Sequence, residues 1–157
     1  MIFKKAVEIL ISKGLKTTFA ESCTGGLLCK SVTDVPGASA VFPGGAVTYC
    51  NDAKISLLGV SSGTIEKYTE VSLAAASEMA SGAAALFGAD IAVSATGYAG
   101  PGGGTEKDPA GTVYVGVFVR GAVNAYRLYF PRADRAEVRR LCCEFAAYIV
   151  ESEAERL

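Results

Sequence analysis

The order in which helical and strand patterns alternate along the chain limits its fold more than any other feature. Apolar spacing and end signals predict helices over 2–14, 25–34, 52–58, 63–68 and 72–87, and a last helix from Asp134 to the C-terminus. Apolar and β-branched runs predict strands over 16–20, 46–50, 91–96, 112–119 and 122–130. This alternation predicts an α/β fold, a three-layer α/β/α sandwich whose mixed, mostly parallel sheet has about five strands.

Residues at the element boundaries support this assignment. Ser72 and Asp134 precede helical patterns and can cap them, and Asn51 or Asp52 can cap the helix over 52–58. Arg120-Gly121 separates two strand patterns and predicts a hairpin. No linker, internal repeat or low-complexity segment interrupts the chain, which predicts one domain over residues 1–157.

The composition excludes several classes of function. Half of the 157 residues are hydrophobic and a fifth are charged, which is typical of an ordered globular protein. The net charge of −1 leaves no basic excess, so no nucleic-acid partner is expected. No run reaches the roughly 18 apolar residues that a membrane span needs, so no membrane partner is expected. Residues 1–8 lack the apolar run of a signal peptide, which predicts a cytoplasmic location.

The absence of histidine restricts any chemistry that the chain performs. It excludes a Ser-His or Cys-His dyad and any metal site built on imidazole. The five cysteines form no C-x-x-C pair, so no metal site and no disulfide framework are expected, and we expect no cofactor. A general base near neutral pH must therefore be Lys, Asp, Glu, Tyr or Cys.

Three segments follow predicted strands and are expected to lie at one edge of the sheet, namely 21–26, 49–54 and 96–105. Ligands of open α/β sheets bind beyond the carboxyl ends of the strands, at loops that lead into helices. We therefore interpret these three segments as parts of one site.

Ser22 is the candidate nucleophile of the first segment because it lies where a strand turns into a helix. Backbone N–H groups of Cys23, Thr24 and Gly25 at the helix start lack intrahelical partners and can hold an oxyanion. By spacing alone, the commoner role of Ser22 or Thr24 is that of a helix N-cap. Cys23 is a rival nucleophile, but its thiol needs a lowered pKa and no base is evident.

The second segment contributes Lys54 as a candidate general base and Tyr49 as a supporting residue. A partly desolvated lysine can act as a neutral amine near pH 7. The tyrosine can pass the proton of the serine or hold the lysine in place. The competing interpretation is that Lys54 is an ordinary surface charge and that Tyr49 packs on the strand.

Glycines and arginines supply candidate substrate-binding groups. The glycine-rich loop can wrap backbone amides around an anion, and it is neither a Walker A sequence nor a dinucleotide fingerprint. A mobile surface loop is the alternative. Arginines cluster at residues 132–140, where either of two i, i+4 neighbours can bind phosphate or carboxylate. The candidate substrate-binding residues are Thr96, Gly100, Gly102, Gly103, Thr105, Arg135 and Arg139.

Taken together, these segments resemble the CinA C-terminal domain family, which includes stand-alone nicotinamide mononucleotide deamidases. The resemblance covers nearly the whole chain. It is carried by four motifs in order, AESCTGG at 20–26, VTYCNDAK at 47–54, TGYAGPGGGT at 96–105 and PAGTV at 109–113.

The resemblance implies hydrolysis of the carboxamide of nicotinamide mononucleotide to nicotinic acid mononucleotide and ammonia, without a metal. It implies Ser22 as nucleophile, Lys54 as base and Tyr49 in support, with the Gly100–Thr105 loop and an arginine of 132–140 binding the nucleotide. It also suggests a homodimer. The chain departs from the usual pattern at Cys50 and at Thr69-Glu70, where Glu70 can alter the rim of the site.

Family membership alone does not establish the reaction, and two other functions stay open. A non-catalytic nucleotide-binding or regulatory domain would bind ligand and release no ammonia. A structural or interaction domain would bind a partner and no small molecule. The presence of Ser22, Tyr49 and Lys54 together favours the enzyme.

Overall fold

A mixed five-stranded sheet forms the centre of the computed structural model, which describes residues 1–157. The strands are β1 (Thr17–Glu21), β2 (Ala46–Val47), β3 (Ile91–Gly97), β4 (Thr112–Val119) and β5 (Ala122–Tyr129). Their order is β2-β1-β3-β4-β5, and only β4 runs against the other four. The predicted α/β fold with a mixed, mostly parallel sheet is confirmed, as is the hairpin at Arg120-Gly121.

Helices cover both faces of this sheet. They are α1 (Lys4–Lys13), α2 (Leu27–Thr33), α3 (Asn51–Leu58), α4 (Ser62–Tyr68), α5 (Leu73–Phe87) and α6 (Arg135–Arg156). The larger core cluster joins the sheet to α1, α2 and α6, and the smaller one joins its other face to α3 and α5. None of these helices is long and apolar enough to cross a membrane.

The alternation of side chains along β3 explains why the two faces differ. Ile91 and Val93 point into the larger core, whereas Ala92 and Ser94 face the alanine-rich helix α5. The Ser94 hydroxyl donates to the Ala76 carbonyl of α5 at 2.6 Å and accepts from the Gly116 N–H of β4 at 3.1 Å. Small residues therefore let α5 approach the sheet backbone closely.

This close approach predicts that alanine at Gly116 is destabilising. A Cβ there would lie 2.1 Å from the Ala76 carbonyl oxygen, so α5 and β4 would have to separate. We expect Gly116→Ala to lower the free energy of unfolding by about 1–3 kcal/mol in urea denaturation, as overpacked cores do. Gly63→Ala is the matched control, because a Cβ there meets only the Ser61 hydroxyl at 3.5 Å, and it should not destabilise. Equal stability of the two variants would contradict this packing argument.

Most predicted helix ends are confirmed, including the caps at Ser72 and Asp134, whose side chains accept from Ala75 N–H and Glu137 N–H. The predicted cap of α3 is wrong, because Cys50, and neither Asn51 nor Asp52, occupies the N-cap position. The strand predicted over 46–50 is also shorter, since β2 pairs only at Ala46 and Val47. After Val47 the chain leaves the sheet and leads into α3, which begins at Asn51.

Candidate active site

The carboxyl ends of β1, β2 and β3 meet at one edge of the sheet and form a cavity of about 220 Å³. The parallel pairing of these strands brings their three following segments together, as expected for an open α/β sheet. Ser22, Tyr49, Lys54, Thr96 and Arg135 all line this cavity.

Lys54 and Ser22 form the central polar contact of the cavity. The Lys54 Nζ lies 3.1 Å from Ser22 Oγ and donates to the Thr48 carbonyl at 2.9 Å. Lys54 is only 1% exposed, although it belongs to the first turn of α3. This burial lowers the pKa of Lys54, while the charge of Glu70 opposes the shift. The arrangement can therefore supply a neutral amine within reach of a serine hydroxyl.

Ser22 and Cys23 line the cavity from a tight turn that leads into α2. Gly25 N–H donates back to the Ser22 carbonyl at 3.1 Å, and Gly25 and Gly26 adopt left-handed backbone angles. The N–H groups of Cys23 and Thr24 donate to no protein group. Of the three predicted oxyanion donors, Cys23 and Thr24 thus remain available and Gly25 does not.

Glu21, which the sequence did not single out, holds this turn together. Its fully buried carboxylate accepts from the N–H groups of Gly26, Leu28 and Cys29 at 2.8–3.0 Å, the positions where α2 begins. Neither Ser22 nor Thr24 caps α2, because Gly26 occupies the N-cap position. The available signal was an acidic residue directly after the strand predicted over 16–20, before a helix start where carboxylates are favourable.

Replacing this carboxylate is expected to loosen the turn. In Glu21→Gln the amide NH₂ would face backbone N–H groups and leave buried donors without an acceptor. We expect a loss of about 1–3 kcal/mol of unfolding free energy in urea denaturation. Glu8→Gln, on the exposed face of α1, is the control and should leave stability unchanged. A Glu21→Gln protein as stable as this control would contradict the capping role.

The two candidate arginines occupy different places. Arg135 lines the cavity, and its guanidinium donates to Tyr49 Oη at 2.8 Å and to the Gly100 carbonyl at 3.0 Å. Arg139 does not line the cavity, and its guanidinium donates to the Thr24 carbonyl. The Tyr49 hydroxyl therefore forms a hydrogen bond with Arg135 and none with Lys54. The Thr48 carbonyl, which accepts from Lys54, holds the lysine instead. Arg135 is the better placed of the two for ligand contact.

The glycine-rich loop is tied down by a buried carboxylate. Asp108 accepts from Tyr114 Oη and Arg127 Nε, both at 2.9 Å, and its N–H donates to Thr105 Oγ1 at 2.9 Å. Residues 97–99 of the loop line the cavity that contains Ser22 and Lys54, together with Asn51, Glu70 and Val71. Thr105 lines a second cavity, and Gly102 and Gly103 are exposed and line neither.

The family model of the CinA C-terminal domain matches residues 2–154. The chain belongs to the CinA C-terminal domain family. Curated relatives of this CinA domain include a competence-damage inducible protein of Caldicellulosiruptor saccharolyticus, 49% identical over 85% of the chain. A CinA-like protein of Chlorobaculum tepidum is 55% identical over 71% of the chain. The chain spans about a third of the length of these relatives, 32% and 26%.

Solved CinA structures extend the match to the whole fold. A CinA superfamily protein from Klebsiella pneumoniae superposes with a TM-score of 0.94 at 34% identity and covers 99% of this chain and 97% of its own. A competence/damage inducible protein from Agrobacterium tumefaciens gives a TM-score of 0.90 at 35% identity, with coverages of 98% and 96%. These similarities establish the family and the α/β fold.

The cysteines of this CinA domain are poor candidates for its chemistry. Burial raises the pKa of Cys23 to about 12, so its thiol stays protonated near neutral pH. Burial likewise raises the pKa of Cys142 and Cys143 within α6. No group of three or more cysteine or carboxylate side chains is arranged to hold a metal ion. Ser22 is therefore the better placed nucleophile.

Proposed function

We propose that the protein hydrolyses the carboxamide of nicotinamide mononucleotide, giving nicotinic acid mononucleotide and ammonia. The observation that carries the proposal is the 3.1 Å contact between Ser22 Oγ and the amine of the buried Lys54. Membership of the CinA C-terminal domain family supports it, because a serine and lysine pair is what the resemblance of the motifs implies.

In the first half of the reaction Ser22 becomes acylated. Neutral Lys54 takes the Ser22 proton as Oγ attacks the carboxamide carbon, which becomes tetrahedral. The N–H groups of Cys23 and Thr24 hold the oxyanion, because they are free and belong to a turn fixed by Glu21. The protonated Lys54 then returns the proton to the leaving nitrogen, the C–N bond breaks, and ammonia departs.

In the second half, water hydrolyses the ester on Ser22. Lys54 takes a proton from the water as it attacks the acyl carbon, and the same N–H groups hold the second oxyanion. When the intermediate collapses, Lys54 returns the proton to Ser22 Oγ and the carboxylate product is released. Tyr49 and Arg135 hold each other at the rim, where the guanidinium can contact the substrate.

Ammonia release from nicotinamide mononucleotide tests the proposal. We expect saturable turnover, with formation of nicotinic acid mononucleotide in equal amount. Calorimetry on the same protein separates the other outcomes. Binding of the nucleotide without ammonia release would identify a regulatory binding domain, and no binding at all would favour an interaction domain. Either result would contradict hydrolysis of this substrate.

The pKa of Lys54 predicts how the rate depends on pH. Only the neutral amine accepts the Ser22 proton, so kcat/KM should fall as the pH drops below the pKa of Lys54 in the free enzyme. Because burial lowers that pKa, the acid limb should lie below the ordinary range of lysine. Because the charge of Glu70 raises it, Glu70→Gln should move the limb to lower pH. A kcat/KM that shows no acid limb below the ordinary pKa range of lysine would contradict lysine as the base.

A further inference from the structure

Glu70 is the only carboxylate that lines the catalytic cavity. Lys54 and Arg135 line the same cavity, yet the Glu70 side chain forms neither an ion pair nor a hydrogen bond with any protein group. Its one hydrogen bond is through the backbone, where its carbonyl accepts from Thr96 Oγ1 at 2.8 Å. The Glu70 carboxylate is therefore free to pair with a cation that enters the cavity, and its charge already acts on Lys54 at a distance.

The segment that carries Glu70 is held in a defined position. Thr69 has a left-handed φ of 69°, which a β-branched residue adopts only where its surroundings hold it. The Ser72 hydroxyl donates to the Thr69 carbonyl at 3.0 Å, and the Thr69 hydroxyl donates to the Val71 carbonyl at 3.2 Å. Thr96 fixes the backbone of the residue between them, so Glu70 lines the cavity from a backbone held in one position.

The cavity that Glu70 lines has a neighbour. A second cavity of about 460 Å³ adjoins the catalytic one, and Val71 and Tyr98 line both. Burial has the larger effect on the pKa of both groups, but the charge of Glu70 also raises the pKa of Tyr98, which lines both cavities, and that of Lys54, which lines the smaller one. Lys67 and Lys107 line the larger cavity.

We propose that Glu70 selects substrates with a cationic ring, by facing the ring nitrogen of a pyridinium carboxamide whose amide lies at Ser22. This inference rests on the proposed function. In such a nucleotide the ring nitrogen is meta to the carboxamide and carries the sugar phosphate. It therefore lies where the ligand leaves the catalytic cavity for the larger one. There its charge pairs with Glu70, and the phosphate extends toward Lys67 and Lys107.

Binding to the inactive Ser22→Ala protein tests this pairing separately from catalysis. Calorimetry gives Kd for nicotinamide mononucleotide and for its reduced form, whose dihydropyridine ring is uncharged. We expect Ser22→Ala/Glu70→Gln to bind the oxidised nucleotide about tenfold more weakly and the reduced one with little change. Rates are avoided because Glu70 also acts on the pKa of Lys54.

Ser22→Ala/Glu66→Gln is the matched control, because Glu66 is an exposed residue of α4 that lines neither cavity. It should bind both nucleotides like Ser22→Ala, and thermal unfolding should confirm that all variants are folded. Equal losses for both nucleotides on Glu70→Gln, no loss for either, or no binding of either by Ser22→Ala would overturn the role of Glu70. Failure of the unmodified protein to release ammonia would instead overturn the proposed hydrolysis, whatever the ratio of the Kd values.

Discussion

Ser22→Ala is expected to lower kcat/KM for ammonia release from nicotinamide mononucleotide by about 10³-fold or more. Without the hydroxyl no acyl-enzyme forms, and water must attack the carboxamide directly. The turn itself should persist, because Glu21 and backbone hydrogen bonds hold it and the Ser22 hydroxyl forms a hydrogen bond only with Lys54. Substrate binding by calorimetry should therefore remain while turnover is lost.

Cys23→Ala is the control for this experiment, since it removes the neighbouring thiol and keeps the backbone N–H. The Cys23 thiol has a pKa of about 12 because it is buried, so its removal should leave the rate close to that of the unmodified protein. Near-normal ammonia release by Ser22→Ala, or its loss in a well-folded Cys23→Ala protein, would refute Ser22 as the nucleophile.

Lys54→Met is expected to lower kcat/KM by about 10²–10⁴-fold, the range that general bases contribute. Methionine fills much of the buried space of the lysine stem but cannot accept a proton. Lys54→Arg should be equally inactive, because a guanidinium stays protonated at every accessible pH. The pH dependence assigned to Lys54 should disappear in both variants when residual rates are measured.

Lys30→Met provides the matched comparison, because Lys30 is an exposed lysine of α2 that lines neither cavity. It should keep kcat/KM and the pH profile of the unmodified protein. If Lys54→Met retained most of the activity, the 3.1 Å contact with Ser22 would be structural and another group would have to be the base.

Several parts of the fold follow from local sequence signals. Ser72 and Asp134 cap their helices as predicted, because an N-cap depends only on a side chain and the N–H groups three residues later. The strand and helix order was enough to predict the α/β class, because short connections leave few ways to pair parallel strands. The same order placed three loops at one sheet edge before any side-chain contact was known.

Other parts depend on residues far apart in the chain. The true start of α2 could not be predicted, because it is set by the Glu21 carboxylate, and a helix formed by Leu27–Thr33 alone carries no sign of it. Arg135 and Arg139 are equivalent by spacing on one helix. Only the packing of α6 against the sheet directs Arg135 to Tyr49 and Arg139 to the Thr24 carbonyl.

The sequence by itself determined which groups could do chemistry, since a chain without histidine has few bases and its motifs single out Ser22 and Lys54. Only the tertiary structure decided that Lys54 is buried, that Gly25 N–H is used within the turn, and that the Glu70 carboxylate has no ion pair in the cavity that it lines. The physical reason is that a pKa, a free N–H group and an unpaired charge are properties of the surroundings. Those surroundings come from β1, β2, β3 and the loop before α5, which meet only on folding.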